Sequence, residues 1–223
     1  MPELPEVETV RRGLEKRVSG QIIKSVEVRH RRATNPRSIR KLNDLTGSKI
    51  ISINRRGKFL WFELDRDYVL VAHLGMSGQF QIQPSGTKPF KHTRVLFKLE
   101  GIDLHFIDQR TFGWISIEEA HNGVPSSAVH IALDPFDENF DLKSTIENYL
   151  SRKTEIKRAL LNQEIMSGIG NIYADEAAAL GKLKERDAFF RQNYLDDLVN
   201  WANNSGYYGK YLQQYDVLQF HHY

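Results

Sequence analysis

No cysteine occurs anywhere in the 223 residues. Disulfides and thiolate-bound zinc are therefore excluded within this sequence, and an intracellular, reducing setting is the default expectation. Long apolar runs are missing too. None approaches the roughly 18 residues that a membrane-crossing helix needs, and the first residues lack the apolar stretch of a secretion signal. The expectation is a soluble protein with no membrane partner. Internal repeats and low-complexity tracts are also absent, which excludes a solenoid or a disordered tail of biased composition. Net charge is low at +3, but it is unevenly spread. Residues 1–60 carry fifteen Lys/Arg against six Asp/Glu, and residues 61–223 carry sixteen against twenty-two. A basic first third favours a polyanionic partner such as nucleic acid, although a solvated surface with clustered charge accounts for it equally well.

What is present supports a packed core: 40% hydrophobic residues, with twelve Phe, nine Tyr and three Trp. Leu4, Val7, Val10, Leu14 and Val18 recur at helical spacing, and Ser19-Gly20 closes that helix. From Gln21 to Ile117 the pattern changes to short β-rich runs separated by turn residues. They are Ile22–Val28, Lys49–Ile53, Phe59–Leu64, Tyr68–His73, Gln79–Gln83, Arg94–Leu99, Ile102–Ile107 and Trp114–Ile117. Such spacing predicts a β-sandwich or barrel with the first helix against it. Breakers at Asn122-Gly123, Pro125-Ser126-Ser127 and Asp134-Pro135 predict a linker over 121–137. Helical patterning follows at 142–150, 153–163, 172–180 and 188–203. The fold class is thus α+β, with a sandwich domain over 1–120, a small helical domain over 138–205, and an aromatic-rich tail at 206–223.

Several residues carry chemistry. If Met1 is removed, Pro2 exposes a secondary amine, which can attack a sugar or carbonyl carbon and form a cationic iminium; Glu3 follows directly. Pro2 and Pro5 also suit an ordinary first helical turn. Gly168-Ile169-Gly170-Asn171 sits between two helices, with Asn171 as N-cap, and reads either as a phosphate site or as a plain turn. Arg55-Arg56-Gly57-Lys58 projects three cations from a hairpin tip. Met76, on a glycine-flanked loop after His73, and Arg110 and Phe112, on another, are parts suited to opening a base stack, although taken singly Met76 and Phe112 read as core residues rather than wedges.

Taken in order, Pro2-Glu3-Leu4-Pro5-Glu6-Val7-Glu8, Arg56-Gly57-Lys58, His73-Leu74-Gly75-Met76, Lys91-His92, Asp108-Gln109-Arg110-Thr111-Phe112-Gly113, Asp134-Pro135 and Gly168-Ile169-Gly170-Asn171-Ile172-Tyr173-Ala174-Asp175-Glu176 make the chain resemble the formamidopyrimidine-DNA glycosylases, the bacterial enzymes that remove oxidised purines such as 8-oxoguanine. The resemblance runs over residues 2–176. It implies a helix–two-turn–helix second domain, double-stranded damaged DNA as partner, a monomeric state and a location in the bacterial cytosol or nucleoid. It implies a catalytic set of Pro2 as nucleophile, Glu3 as general acid/base and Lys58 on the phosphates. His73, Met76, Arg110, Phe112, Lys157 and Asn171 would be DNA-binding, and Glu6 would line the lesion pocket. Loss of the base would be followed by β,δ-elimination at the abasic site.

The C-terminal part departs from that family. Its members carry a four-cysteine zinc finger, which this sequence cannot form, so no metal and no cofactor is expected. His221-His222 lacks further ligands. The stretch Lys182-Leu183-Lys184-Glu185-Arg186-Asp187 does not match the loop that closes over the lesion, and residues 206–223 resemble only the segment that precedes the finger. The expectation is a truncated or divergent chain with a weakened grip on DNA and reduced base excision. The alternative is a damaged-DNA binding protein of the same fold with little or no catalysis.

Overall fold

The computed structural model describes residues 2–180, with side chains through Asp175. These residues form two units. The first comprises Pro2 and residues 6–129, and the second comprises Glu3–Pro5 and residues from His130 onward. The expected linker, 121–137, is divided between them.

Helix α1, Leu4–Val18, belongs to the first unit from Glu6 onward, and its periodic Val7, Leu14 and Val18 are buried in the main core. Nine strands follow: β1 Ser25–Val28, β2 Ile50–Arg56, β3 Phe59–Leu64, β4 Tyr68–His73, β5 Gly78–Pro84, β6 Thr93–Lys98, β7 Ile102–Asp108, β8 Trp114–His121 and β9 Val124–Pro125. They build a four-stranded sheet in the order β1-β6-β7-β5 and a five-stranded sheet in the order β2-β3-β4-β8-β9. All pairings are antiparallel.

Alternation places Val95 and Phe97 of β6 and Leu104 and Phe106 of β7 in the same core as Leu60, Phe62 and Leu64 of β3 and Leu70 and Ala72 of β4. This is the expected β-sandwich. In β2, Ile50 and Ile53 are both buried although three residues apart. A register shift between Ile50 and Ser52 explains it, because one extra residue turns the strand over. β2 also runs three residues past the expected Ile53, with Arg55 and Arg56 paired to Leu60 and Phe59. Only Gly57-Lys58 is left as the hairpin turn.

In the second unit, α2 (Leu142–Leu150) is capped by Asp141, whose carboxylate accepts from Ser144 N at 3.2 Å. α3 is Ile156–Leu160 and α4 is Asn171–Leu180. Ile146, Tyr149, Ala159, Leu160, Ile165, Met166 and Ala174 pack together as a separate small core. α3 starts three residues later and ends three residues earlier than the predicted 153–163, and past its end Gln163 pins the following turn. Its Nε2 donates to the carbonyls of Leu161 (3.0 Å) and Ile169 (2.9 Å), and its Oε1 accepts from Gly168 N at 2.9 Å. The helix predicted at 188–203, the loop match at 182–187 and the tail at 206–223 lie outside the described residues. Among the described residues, no helix is long and apolar enough to cross a membrane.

Candidate active site

In the first unit, the hairpin between β2 and β3 is fastened to α1 through one buried carboxylate. Glu8 accepts from Arg55 Nε at 2.9 Å, Arg12 Nε at 2.8 Å and Arg11 Nε at 3.0 Å. Burial alone would raise its pKa, but these guanidinium contacts outweigh burial and hold it at about 2. Arg55 also donates to the carbonyl of Gly57 at 3.2 Å. Arg55 is therefore turned inward, and the expected trio of projecting cations reduces to Arg56 and Lys58. Further along α1, Glu15 accepts the N–H of Ile53, and Arg11 Nη1 donates to its carbonyl at 3.1 Å, so the helix covers the β2 edge. Glu6 lies half-buried in the first turn of α1, and Pro2 lies half-buried just ahead of it.

His73 ends β4 opposite Phe59 and stacks on Trp114, with ring centroids 5.7 Å apart and planes 13° apart. Its pKa is lowered, first by burial and then by the Lys58 cation. Gly75 N donates to its Nδ1 at 3.2 Å. A neutral ring that accepts at Nδ1 carries its proton on Nε2, which makes His73 a hydrogen-bond donor there.

Two loops then pack backbone to backbone. A Cβ on Gly75, where φ is +60°, would lie 2.5 Å from the Phe112 carbonyl carbon, so only glycine permits this approach. Buried Asp108 ties the pair. Its Oδ1 accepts from Ser77 Oγ (2.5 Å) and Arg110 N (3.1 Å), and its Oδ2 accepts from Gly113 N (2.7 Å). Thr111 sits at φ +55°, an unusual conformation for a β-branched residue. The result is a tip on which Met76 (43%) and Phe112 (54%) stand exposed, with the Arg110 guanidinium 5.0 Å from the Phe112 ring centroid. Neither apolar residue belongs to the core.

In the second unit, the Glu3 carboxylate occupies the start of α4. Its oxygens accept from the backbone N–H of Gly170 (2.8 Å), Ile172 (2.9 Å) and Tyr173 (3.4 Å), and Glu3 is only 2% exposed. Leu4 N also donates to Gly168 O at 3.2 Å. Two expectations change here. The amides read as a phosphate site hold this carboxylate, an anion suited to the same donors. Asn171, read as the N-cap, is the first residue of α4, and its side chain is exposed. Lys157, read as a phosphate contact, forms an ion pair with Asp175 of α4 at 2.5 Å.

The structure thus groups Lys58 with His73, and Met76 with Arg110 and Phe112, in the first unit. It places Glu3, Asn171 and Lys157 in the second. Sequence reasoning missed Glu8 and Asp108 as the anchors. Their signal was a charged residue within an otherwise apolar periodicity. The residues present do not fit a thiolate zinc centre, since there is no cysteine. Among the described residues, no three His, Asp or Glu side chains are gathered to hold a metal ion.

Comparison with known proteins bears on the whole arrangement. The family model described as the formamidopyrimidine-DNA glycosylase N-terminal domain matches residues 1–115, and that of the formamidopyrimidine-DNA glycosylase H2TH domain matches residues 131–186. The formamidopyrimidine-DNA glycosylase of Rhodococcus jostii is 50% identical over 186 residues, covering 79% of this chain and 64% of the relative. That of Streptomyces coelicolor is 46% identical, covering 79% and 65%. The chain therefore spans slightly less than two thirds of the length of these relatives. Lactococcus lactis Fpg bound to FAPY-dG-containing DNA superimposes with a TM-score of 0.77 at 32% identity, covering 95% of this chain and 80% of that one. The same protein bound to abasic-site DNA gives 0.77, covering 95% and 79%. Two domain models matched in order, with half of all aligned positions shared with the Rhodococcus relative, place this chain in the formamidopyrimidine-DNA glycosylase family.

Proposed function

We propose that the chain removes oxidised purines, 8-oxoguanine and formamidopyrimidines, from double-stranded DNA and then cleaves the abasic site, with Pro2 as nucleophile. The observation that carries this reading is the Glu3 carboxylate held on three backbone amides, since it fixes the residue that follows the nucleophile. The names of the relatives and the DNA carried by the solved neighbours support the substrate class.

Once Met1 is removed, the Pro2 nitrogen has a lone pair. It attacks C1′ of the damaged nucleotide, and the glycosidic bond breaks with its electrons leaving on the base, which takes up a proton. Opening of the sugar ring gives a cationic iminium. Loss of a C2′ proton then expels the 3′ phosphate, a second elimination expels the 5′ phosphate, and water releases Pro2. Glu3, with both oxygens engaged as acceptors, serves as a base and as the negative charge that favours the iminium.

Lys58 and the Nε2–H of His73 hold backbone phosphates, as does Asn171. Lys157 exchanges Asp175 for a phosphate, an exchange of low cost because exposed ion pairs contribute about 0–1 kcal/mol. Met76 and Phe112 fill the space of the extruded nucleotide, Arg110 meets the orphaned base, and Glu6 lines the lesion pocket. The protein acts as a monomer in the bacterial cytosol, without a metal or cofactor.

The test is mass spectrometry of the N-terminus together with borohydride trapping on an abasic duplex. The expected result is a protein beginning at Pro2 that gives a stable crosslink, lost in Pro2→Ala only to the extent that a primary amine reacts less well. Binding to the duplex without any crosslink, from protein that begins at Pro2, overturns the reading and favours a non-catalytic damaged-DNA binding protein.

A further inference from the structure

Residues 29–41, Arg-His-Arg-Arg-Ala-Thr-Asn-Pro-Arg-Ser-Ile-Arg-Lys, contain six Lys/Arg and no acidic residue, and none of these cations has a role in the chemistry above. All six are exposed. Arg29 pairs with Glu27, and Arg40 lies over the Tyr68 ring at 5.1 Å. Among the described residues, Arg31, Arg32, Arg37 and Lys41 have no acidic partner.

The backbone beneath them is held firmly. Ala33 is fully buried, Thr34 bridges Ile115, and Asn35 N and Ile39 N donate to the carbonyls of Ile115 and Ile117 at 2.9 Å. Ser38 Oγ accepts from Ile117 N at 2.8 Å and donates to Arg40 O at 2.8 Å. The segment is thus an added rail along the stretch of β8, Ile115–Ile117, that β9 does not pair. Four unpaired cations on a fixed backbone are a built surface.

Its position is specific. Arg29 N and His30 N both donate to Arg94 O. The Arg94 side chain in turn donates to the carbonyls of Asp108 (2.6 Å) and Gln109 (3.2 Å), at the base of the loop that carries Arg110 and Phe112. Thr34 is bridged to Ile115, two residues beyond Gly113 at the other end of that loop. Arg31 and Arg32 therefore lie between two points that fasten at either end of the loop carrying Arg110 and Phe112, and Arg37 and Lys41 continue away from it along β8.

We infer that residues 29–41 form a second phosphate-gripping rail for the DNA strand opposite the lesion. The strand assignment rests on the function proposed above, in which Arg110 meets the orphaned base, so that a surface beside Arg110 borders the strand bearing that base. Asn35 and Ile39 bond to β8 residues two apart, a span of about 7 Å, and Ile39 to Lys41 adds at most about 7 Å. One strand of a duplex carries a charge every ~3.4 Å of helix axis, so several phosphates fall within that reach.

The experiment measures how duplex affinity varies with salt for the full chain and for the combined variant Arg31→Gln, Arg32→Gln, Arg37→Gln, Lys41→Gln. Each lost contact lowers the log–log slope by about 0.9, so a loss of about 3–4 is expected, with affinity near 0.1 M salt down by about 100- to 1000-fold. Borohydride crosslinking at saturating DNA should not change. A companion variant with lysine at the three arginines keeps the charge and should keep most of the slope, which separates charge from folding. An unchanged slope in the glutamine variant overturns the rail, while wild-type crosslinking would leave the proposed chemistry standing. A reduced slope with no wild-type crosslink supports the rail and overturns the chemistry. Neutral methylphosphonate linkages in the strand opposite the lesion should erase the difference between wild type and variant. If they erase it only in the lesion strand, the strand assignment is wrong.

Discussion

Glu8 takes three guanidinium groups at once, and its side chain is only 7% exposed. A carboxylate held at about 2 against an ordinary 4.5 corresponds to about 3 kcal/mol of stability. Because the folded value is the lower one, that stability is fully present above pH 4.5 and is lost as pH falls toward 2. Glu8→Gln should cost about 2–4 kcal/mol in urea unfolding at neutral pH, chiefly by removing the Glu8 carboxylate from buried Arg55. The gap to wild type should shrink below pH 4.5; a gap of constant size at pH 3 would mean that packing and not charge is responsible. His73 works with the same sign near neutrality. Its folded pKa is depressed, so the unfolded chain binds the proton more readily below 6.5, and stability falls as pH drops through that value. His73→Phe keeps a ring to stack on Trp114 and should flatten this decline between pH 7 and pH 5, read from urea midpoints.

At the scale of the element, the two packed loops matter more than any residue on them. Gly75 and Thr111 both have positive φ, for different reasons. At Gly75 a methyl group would strike the Phe112 backbone, which has no flexible end to move aside. Gly75→Ala should therefore destabilise the protein by about 1–3 kcal/mol and weaken the duplex binding proposed above, because the tip that carries Met76, Arg110 and Phe112 is pushed apart. Thr111 meets no such wall. Thr111→Gly relieves a left-handed β-branched residue but loosens the chain when unfolded, so stability should stay within about 1 kcal/mol of wild type. Thermal unfolding and duplex titration of the two variants separate the cases. A neutral Gly75→Ala would show that the loops are not held by that contact.

For the whole molecule, the strands of the sandwich were legible because alternation and turn residues are local signals. β3 and β4 keep their predicted bounds, and α2 does too. What could not be read was long-range. No local pattern tells that Arg55 turns inward to a carboxylate 47 residues earlier, or that Gln163 pins the turn after α3. The largest such case is Glu3. The sequence separates it from Ile172 by 169 positions, yet its carboxylate caps α4, and residues 3–5 group with the helical unit. Residues 3–5 are therefore structurally part of that unit, and loss of the Glu3 carboxylate should be felt there first. Glu3→Ala removes the acceptor for three amides, and hydrogen bonds to a charged group contribute about 1.5–3 kcal/mol. Hydrogen exchange at Gly170, Ile172 and Tyr173 should then accelerate at least about tenfold, since a factor of ten requires only about 1.4 kcal/mol. Leu60 and Phe106, in the sandwich core, should exchange as in wild type. Equal acceleration in both units would instead mean that Glu3 supports global stability. No acceleration at the three amides would remove the cap, and with it the anchor that the function proposed above assigns to Glu3.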